Sequence, residues 1–151
     1  MKKTCFTICA AVVLFAGAAI AKESEVKHNV DPNAEADAKI KLIAIEKNIV
    51  KYTNDQRKSH GLPPLEVDVT LVESARRHAI WMTRNRRLQH TSQPVAENIA
   101  VGYPSSESVV RGWMNSSGHR ANILNRSHRR IGVAAYVTAS GTIYWCQQFL
   151  R

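Results

Sequence analysis

The strand-like stretch Thr142-Ile143-Tyr144-Trp145-Cys146-Gln147-Gln148-Phe149 limits the folds open to this chain more than any other part of it. Read with the two-residue period of a strand, Ile143, Trp145 and Phe149 fall on one side and Tyr144 and Cys146 on the other. Both sides are partly apolar, so a sheet built on this strand needs a layer packed against each face. Ile131 to Val137 reads as its partner strand. Ala139-Ser140-Gly141 between them reads as a hairpin turn containing a glycine.

The rest of the chain supplies helices for those layers. From about Asp37 to Ser59, Ile40, Leu42, Ile43, Ile45, Ile49 and Tyr52 or Thr53 recur at helical spacing. His60-Gly61 and Pro63-Pro64 then end the run. Asn54 and Arg57, one turn apart near that end, are expected to bond the loop that follows. A second helix is expected to start near Asp68 or Thr70, with Thr70-x-x-Glu73 in capping-box order and Leu71, Ala75, Ala79 and Met82 as its apolar stripe. His78 stands one residue off that stripe, the place of a boundary side chain with a satisfied hydrogen bond. Arg84, Arg86 and Arg87 suit the negative end of the helix dipole. Pro104-Ser105-Ser106-Glu107 opens a third helix carrying Val109, Val110, Trp113 and Met114, with Trp113 in the core. It breaks at Ser116-Ser117-Gly118, and a short helix follows from about His119 to Leu124. The stretch from Glu97 to Tyr103 is expected to include a short strand. Helices before and between strands, with a two-faced sheet, predict an α/β domain: a three-layer α-β-α sandwich around a small central antiparallel sheet.

The chain's beginning has a different character. Lys2 and Lys3, the apolar run Phe6 to Gly17 and Ala19-Ile20-Ala21 before Lys22-Glu23 have the order of a signal peptide over residues 1–21. The expected organisation is a signal peptide (1–21), a flexible polar lead-in (22–36) and one folded domain (37–151). Cleavage near Ala21 would deliver a secreted or periplasmic protein with no transmembrane segment in the mature chain. Cys5 and Cys9 leave with the signal, and the remaining Cys146 is expected as a small buried hydrophobe.

Charge is spread unevenly. Residues 22–73 hold eight Lys/Arg against ten Asp/Glu, whereas residues 74–151 hold eleven Arg, no Lys, and only Glu97 and Glu107. An arginine-only basic half suits carboxylate, phosphate or anionic lipid surfaces, but a merely solubilising face is the reading favoured. No helix-turn-helix, finger or aromatic-interleaved basic strand accompanies it, so nucleic acid is not an expected partner.

Two imidazoles and a carboxylate, His90, Glu97 and His119, lie on short segments between these elements. The ordered motifs His90…Ala96-Glu97-Asn98-Ile99-Ala100, Trp113-Met114, Ser117-Gly118-His119-Arg120-x-Asn122-Ile123-Leu124, Ile131-Gly132-Val133 and Tyr144 to Phe149 resemble the CAP superfamily, in particular its short bacterial branch of secreted SCP-like domains. Upstream, Asn54-x-x-Arg57, Gly61 to Leu65 and Leu71-x-x-x-Ala75-x-x-His78-Ala79 extend the resemblance, which covers about residues 42–150. It implies the same three-layer fold. It also implies a large cleft lined by two histidines and two glutamates, in which the histidines can hold a divalent metal. By matched position these are His90, Glu97 and His119. The second glutamate's place, three residues after Trp113, holds Ser116, so the tetrad is reduced to a triad as in the short bacterial branch.

Neutral imidazole is a good ligand for Zn²⁺ or another divalent metal, and two His with one carboxylate can leave a water position open. The start of a short helix at His119 disfavours imidazolium. The spacings of seven residues (His90 to Glu97) and twenty-two (Glu97 to His119) are not in themselves a metal signature. Glu97 has an alternative as a structural acid accepting backbone N–H bonds. The reading favoured is a non-enzymatic binding module whose His/Glu cleft takes a metal and a lipid, sterol-like or cell-wall ligand, helped by Trp81, Tyr103 or Trp113 where exposed. One alternative is a metal-dependent peptidase or esterase with Glu97 as base. A Ser116/His119 nucleophile pair is weaker, since no acid follows to orient the histidine. The other alternative is a secreted interaction protein acting through its arginine-rich face.

Overall fold

The computed structural model describes residues 42–151. The signal peptide, the lead-in and residues 37–41 of the expected first helix lie outside the described residues, and within them that helix starts only at Ala44, with Leu42 and Ile43 ahead of it and Ile43 extended as its N-cap. Helix α1 (Ala44–Ser59) is followed by a two-residue strand β1 (Glu66–Val67), α2 (Val69–Asn85), β2 (Ala96–Val101), α3 (Ser106–Met114), α4 (Ser117–Ile123), β3 (Arg130–Val137) and β4 (Ile143–Leu150). The strand order is β1-β3-β4-β2. β2, β4 and β3 run antiparallel, and β1 adds a short parallel edge through Glu66 opposite Arg130 and Val67 opposite Ile131.

Both faces of the sheet are covered, as the alternation in β4 requires. On one face Ile131, Val133, Ala135, Trp145 and Phe149 pack with Ile49 of α1, Val109, Val110 and Trp113 of α3 and Ile123 of α4. On the other, Ala134, Tyr144, Cys146 and Ile99 pack with Ala75, Ala79 and Met82 of α2. These are the three layers. The small residues of α2 let it lie almost flush on the sheet, and at Gly132 no side chain fits: a Cβ there would overlap the Leu71 backbone.

The caps follow short-range chemistry. The Asp68 side chain, rather than Thr70, caps α2 by accepting from the Leu71 N–H (2.9 Å). Ser105 caps α3 by accepting from the Ser108 N–H (3.1 Å). Arg86 ends α2 in the left-handed region (φ 48°), a conformation that glycine adopts more readily. Buried Arg57 donates to the carbonyls of Pro63, Ile123, Asn125 and His128, and Asn54 exchanges two bonds with the Leu65 backbone. The end of α1 therefore organises its own loop and also the segment leaving α4. Around the free end of β3, buried Glu46 of α1 takes a bidentate pair from Arg76 of α2 (2.7 and 2.6 Å), joining the two outer layers. Among the described residues no helix is long and apolar enough to cross a membrane.

Candidate functional site

The site is built around β2, the strand at the other edge of the sheet. Glu97 and Asn98 are consecutive in it and therefore point to opposite faces. The antiparallel register puts Glu97 opposite Gln148 and Asn98 opposite Gln147.

On the α2 face, the Glu97 side chain is 3% exposed and both oxygens are taken. Oε1 accepts from the Thr91 N–H (3.0 Å) and lies 2.9 Å from His90 Nδ1. Oε2 accepts from Gln148 Nε2 (2.9 Å) and from the Cys146 thiol (3.5 Å), with His78 Nε2 at 3.8 Å. Burial pushes the Glu97 carboxyl upward. Hydrogen bonds from Gln148, Thr91 and His90, together with the proximity of His78, outweigh it and hold the group below the usual carboxylate range. Next to this anion the fully buried Cys146 thiol is pushed well up, first by burial and then by the Glu97 charge, so it is held as the neutral donor.

Facing an ionised carboxylate, His90 Nδ1 must be the N–H donor. In its neutral form the ring then carries its lone pair on Nε2. The ring is 59% exposed, so that nitrogen is open to water.

On the opposite face, Asn98 Nδ2 donates to the His119 carbonyl (3.1 Å) and to Gln147 Oε1 (3.0 Å). Its own carbonyl accepts from Asn122 Nδ2 (2.9 Å), which also reaches the Glu97 carbonyl (3.2 Å). Gln147 Nε2 passes the chain on to Thr53 of α1 (2.7 Å). This buried amide network pins α4 to the sheet edge and so fixes where His119 stands. His119 is half-buried, and its ring makes no hydrogen bond among the described residues. Burial first, and then the charge of His90, lower its pKa, which favours the neutral ring.

Neither His90 nor His119 lies in the packed interior: His90 is exposed and His119 half-buried. Glu97 is adjacent but buried with its oxygens occupied. Among the described residues no group of three or more His, Cys, Asp or Glu side chains stands where it could hold one ion. Of the three residues expected to line the site, Glu97 has both oxygens occupied by its four donors. Ser116 is the N-cap residue of α4 with no side-chain cap bond, and nothing joins its hydroxyl to the His119 ring. Its neighbour Trp113 is core, 1% exposed. His78 has the satisfied bond expected of it, to the Gln89 carbonyl (2.8 Å).

Reasoning from the sequence missed the amides. Two adjacent glutamines, Gln147 and Gln148, inside an otherwise apolar two-faced strand must each be hydrogen-bonded once buried. They are the signal that a polar partner lies over each face.

A three-layer α-β-α domain around a four-stranded sheet is the class this geometry defines. Residues 50–149 match the family model of CAP, the cysteine-rich secretory protein family, and the chain belongs to that family. It is 39% identical over 135 residues to the uncharacterized protein YkwD of Bacillus subtilis (strain 168), covering 78% of this chain and 51% of that one. Among solved structures, an extracellular SCP-domain protein of Bacillus anthracis str. Ames is 29% identical (TM-score 0.63, 70% of this chain and 40% of that one). An outer surface protein of Borrelia burgdorferi is 25% identical (TM-score 0.62, 71% of this chain and 94% of that one). The chain spans about half the length of the YkwD relative.

Proposed function

We propose that this is an exported binding module in which His90 and His119 together hold a divalent metal such as Zn²⁺ beside a cleft for a cell-envelope ligand. The observation that carries the reading is the Glu97–His90 bond. A buried carboxylate on Nδ1 fixes the tautomer and aims Nε2 outward, the arrangement that tunes a metal-ligating histidine. The donor set fits: two imidazoles that are good Zn²⁺ ligands when neutral leave the remaining positions to water or ligand. A bound metal would supply an open Lewis-acid position there. This chain's residues orient His90 through Glu97, place His119 through Asn98, and shield the carboxylate from solvent.

Binding is favoured over hydrolysis because Glu97 has no free oxygen with which to activate a water. Arg76, Arg77, Arg111 and Arg130 are engaged in ion pairs, which reduces the charge available for an arginine-led surface. Export is supported by the signal-like order of residues 1–21 and by the extracellular SCP-domain relative. Zn²⁺ titration by calorimetry tests the site. The His90→Ala/His119→Ala double variant is expected to lose Zn²⁺ binding, and unchanged affinity would refute the assignment.

A further inference from the structure

Helix α2 carries a second pattern on the flank that faces the 89–93 loop. Ser74, Arg77, His78 and Trp81 follow one another at i, i+3, i+4 and i+7, which places them in a single stripe. Across from the stripe runs the 89–93 loop. Two hollows of about 310 and 340 Å³ lie between them, sharing His78, Trp81 and Thr91 as lining. Each is at the lower end of the range for small-ligand sites, about 300–1,000 Å³.

The loop is held rigidly. His78 Nε2 bonds the Gln89 carbonyl, the Thr91 N–H bonds Glu97, and the Gln93 N–H bonds the Thr91 hydroxyl (3.3 Å). The Trp81 ring stacks on His78 with centroids 5.9 Å apart and planes 6° from parallel, yet Trp81 is 39% exposed. Around this flat aromatic floor, the side chains of Ser74, Gln89 and Gln93 make no hydrogen bond among the described residues. Arg77 has only a long contact to Glu73 (3.9 Å).

A fixed aromatic face ringed by uncommitted hydroxyl and amide groups matches the two-sided chemistry of a pyranose ring, with its C–H face and its equatorial hydroxyls. It matches an acyl chain poorly, since that would leave the polar rim unpaired. We infer that the α2–loop groove is a glycan subsite, with Trp81 as its platform and Ser74, Gln89 and Gln93 as its hydroxyl partners. The inference deepens the binding reading and rests on it, because His90 lines the near end of the groove.

The test is calorimetric titration of the full chain, with EDTA present, against an N-acetylglucosamine tetramer, a cellotetraose and an oligogalacturonate. The three probes separate N-acetylated, neutral and acidic sugars. Saturable binding of at least one is expected, weakened about tenfold by Trp81→Ala and less by Trp81→Phe, which keeps a stacking face. Circular dichroism confirms that each variant is folded. Binding of none of the three would overturn the inference, as would binding that Trp81→Ala leaves intact. Binding that appears only when Zn²⁺ replaces EDTA would assign the sugar to the imidazole pair and likewise overturn the Trp81 subsite. Loss of Zn²⁺ binding without loss of sugar binding would sink the metal reading alone.

Discussion

Replacing Glu97 tests the whole arrangement, because four donors converge on one buried carboxylate. In Glu97→Ala the Thr91 N–H, Gln148 Nε2, the Cys146 thiol and His90 Nδ1 lose their acceptor together. Hydrogen bonds to a charged group contribute about 1.5–3 kcal/mol each, and a buried donor left unsatisfied costs about 1–3 kcal/mol. His90 turns to water, and the thiol is a weak donor, so Thr91 and Gln148 dominate. The expected loss is about 3–5 kcal/mol. Glu97→Gln should be milder. Its amide oxygen still serves Thr91 and His90, and its NH₂ meets Gln148, whose own Oε1 is buried without a partner. A flip of the Gln148 amide lets that oxygen accept but turns its NH₂ to the side that has no partner, so the expected loss is about 1–3 kcal/mol, still below that of Glu97→Ala. Urea unfolding of the three proteins measures both losses. Zn²⁺ affinity should fall about 10–100-fold in Glu97→Ala, the usual effect of losing the group that orients a ligating histidine, and less in Glu97→Gln. A Glu97→Ala loss below about 1 kcal/mol would refute the claim that the four bonds hold this edge together.

Further outcomes follow from the packing and the titrations. Because the folded Glu97 pKa is depressed, its stabilisation is present above the unfolded carboxylate pKa of about 4.3 and disappears as pH falls through the folded value. Acid unfolding of Glu97→Gln should therefore be less steep than that of the parent. His128 is buried, stacks on Phe149 (5.2 Å), and has its pKa lowered by burial and by Arg57 and Arg151, against an opposing bond to the Asn122 carbonyl. Unfolding then takes up a proton as pH drops below about 6.5, so stability falls there, and His128→Phe should flatten part of that slope in urea titrations. Gly132→Ala drives a methyl into the Leu71 backbone and should cost about 3 kcal/mol or more, read from the urea midpoint. Arg86→Gly relieves a left-handed non-glycine residue and should raise stability by up to about 1 kcal/mol; a loss would show that the Arg86 side chain contributes more than its backbone costs.

The layered fold was legible because it depends on period. Trp145 and Cys146 must face opposite ways whatever else the chain does, and one small-residue stripe on α2 and three larger helical contributions are what the two faces require. Residue-level endings were less so. Thr70 and Asp68 both have capping chemistry, and which one caps depends on where β1 releases the chain. β1 itself is two residues long and carries no periodic signal. The site shows the same division. His90, Glu97 and His119 were named through the family motif, but Glu97 and His119 belong to opposite faces of the sheet. That follows only from the register of β2 against β4, which sets Glu97 beside Gln148 and Asn98 beside Gln147. A carboxylate's role as ligand or as positioning group depends on how many donors surround it, and one of those donors, Gln148, comes from 51 positions away in the chain.

In the proposed site Glu97 and Asn98, neighbours in one edge strand, bond the His90 ring and the His119 carbonyl and so bring the two residues to one metal ion. Long-range ¹⁵N–¹H correlation spectra of the labelled protein, recorded near neutral pH with and without Zn²⁺, test this most directly. The expected result is a His90 ring protonated on Nδ1, with Zn²⁺ shifting its Nε2 and one nitrogen of His119 at the same saturation point. A His90 ring protonated on Nε2, or a Zn²⁺ titration that leaves either histidine unshifted, would contradict it.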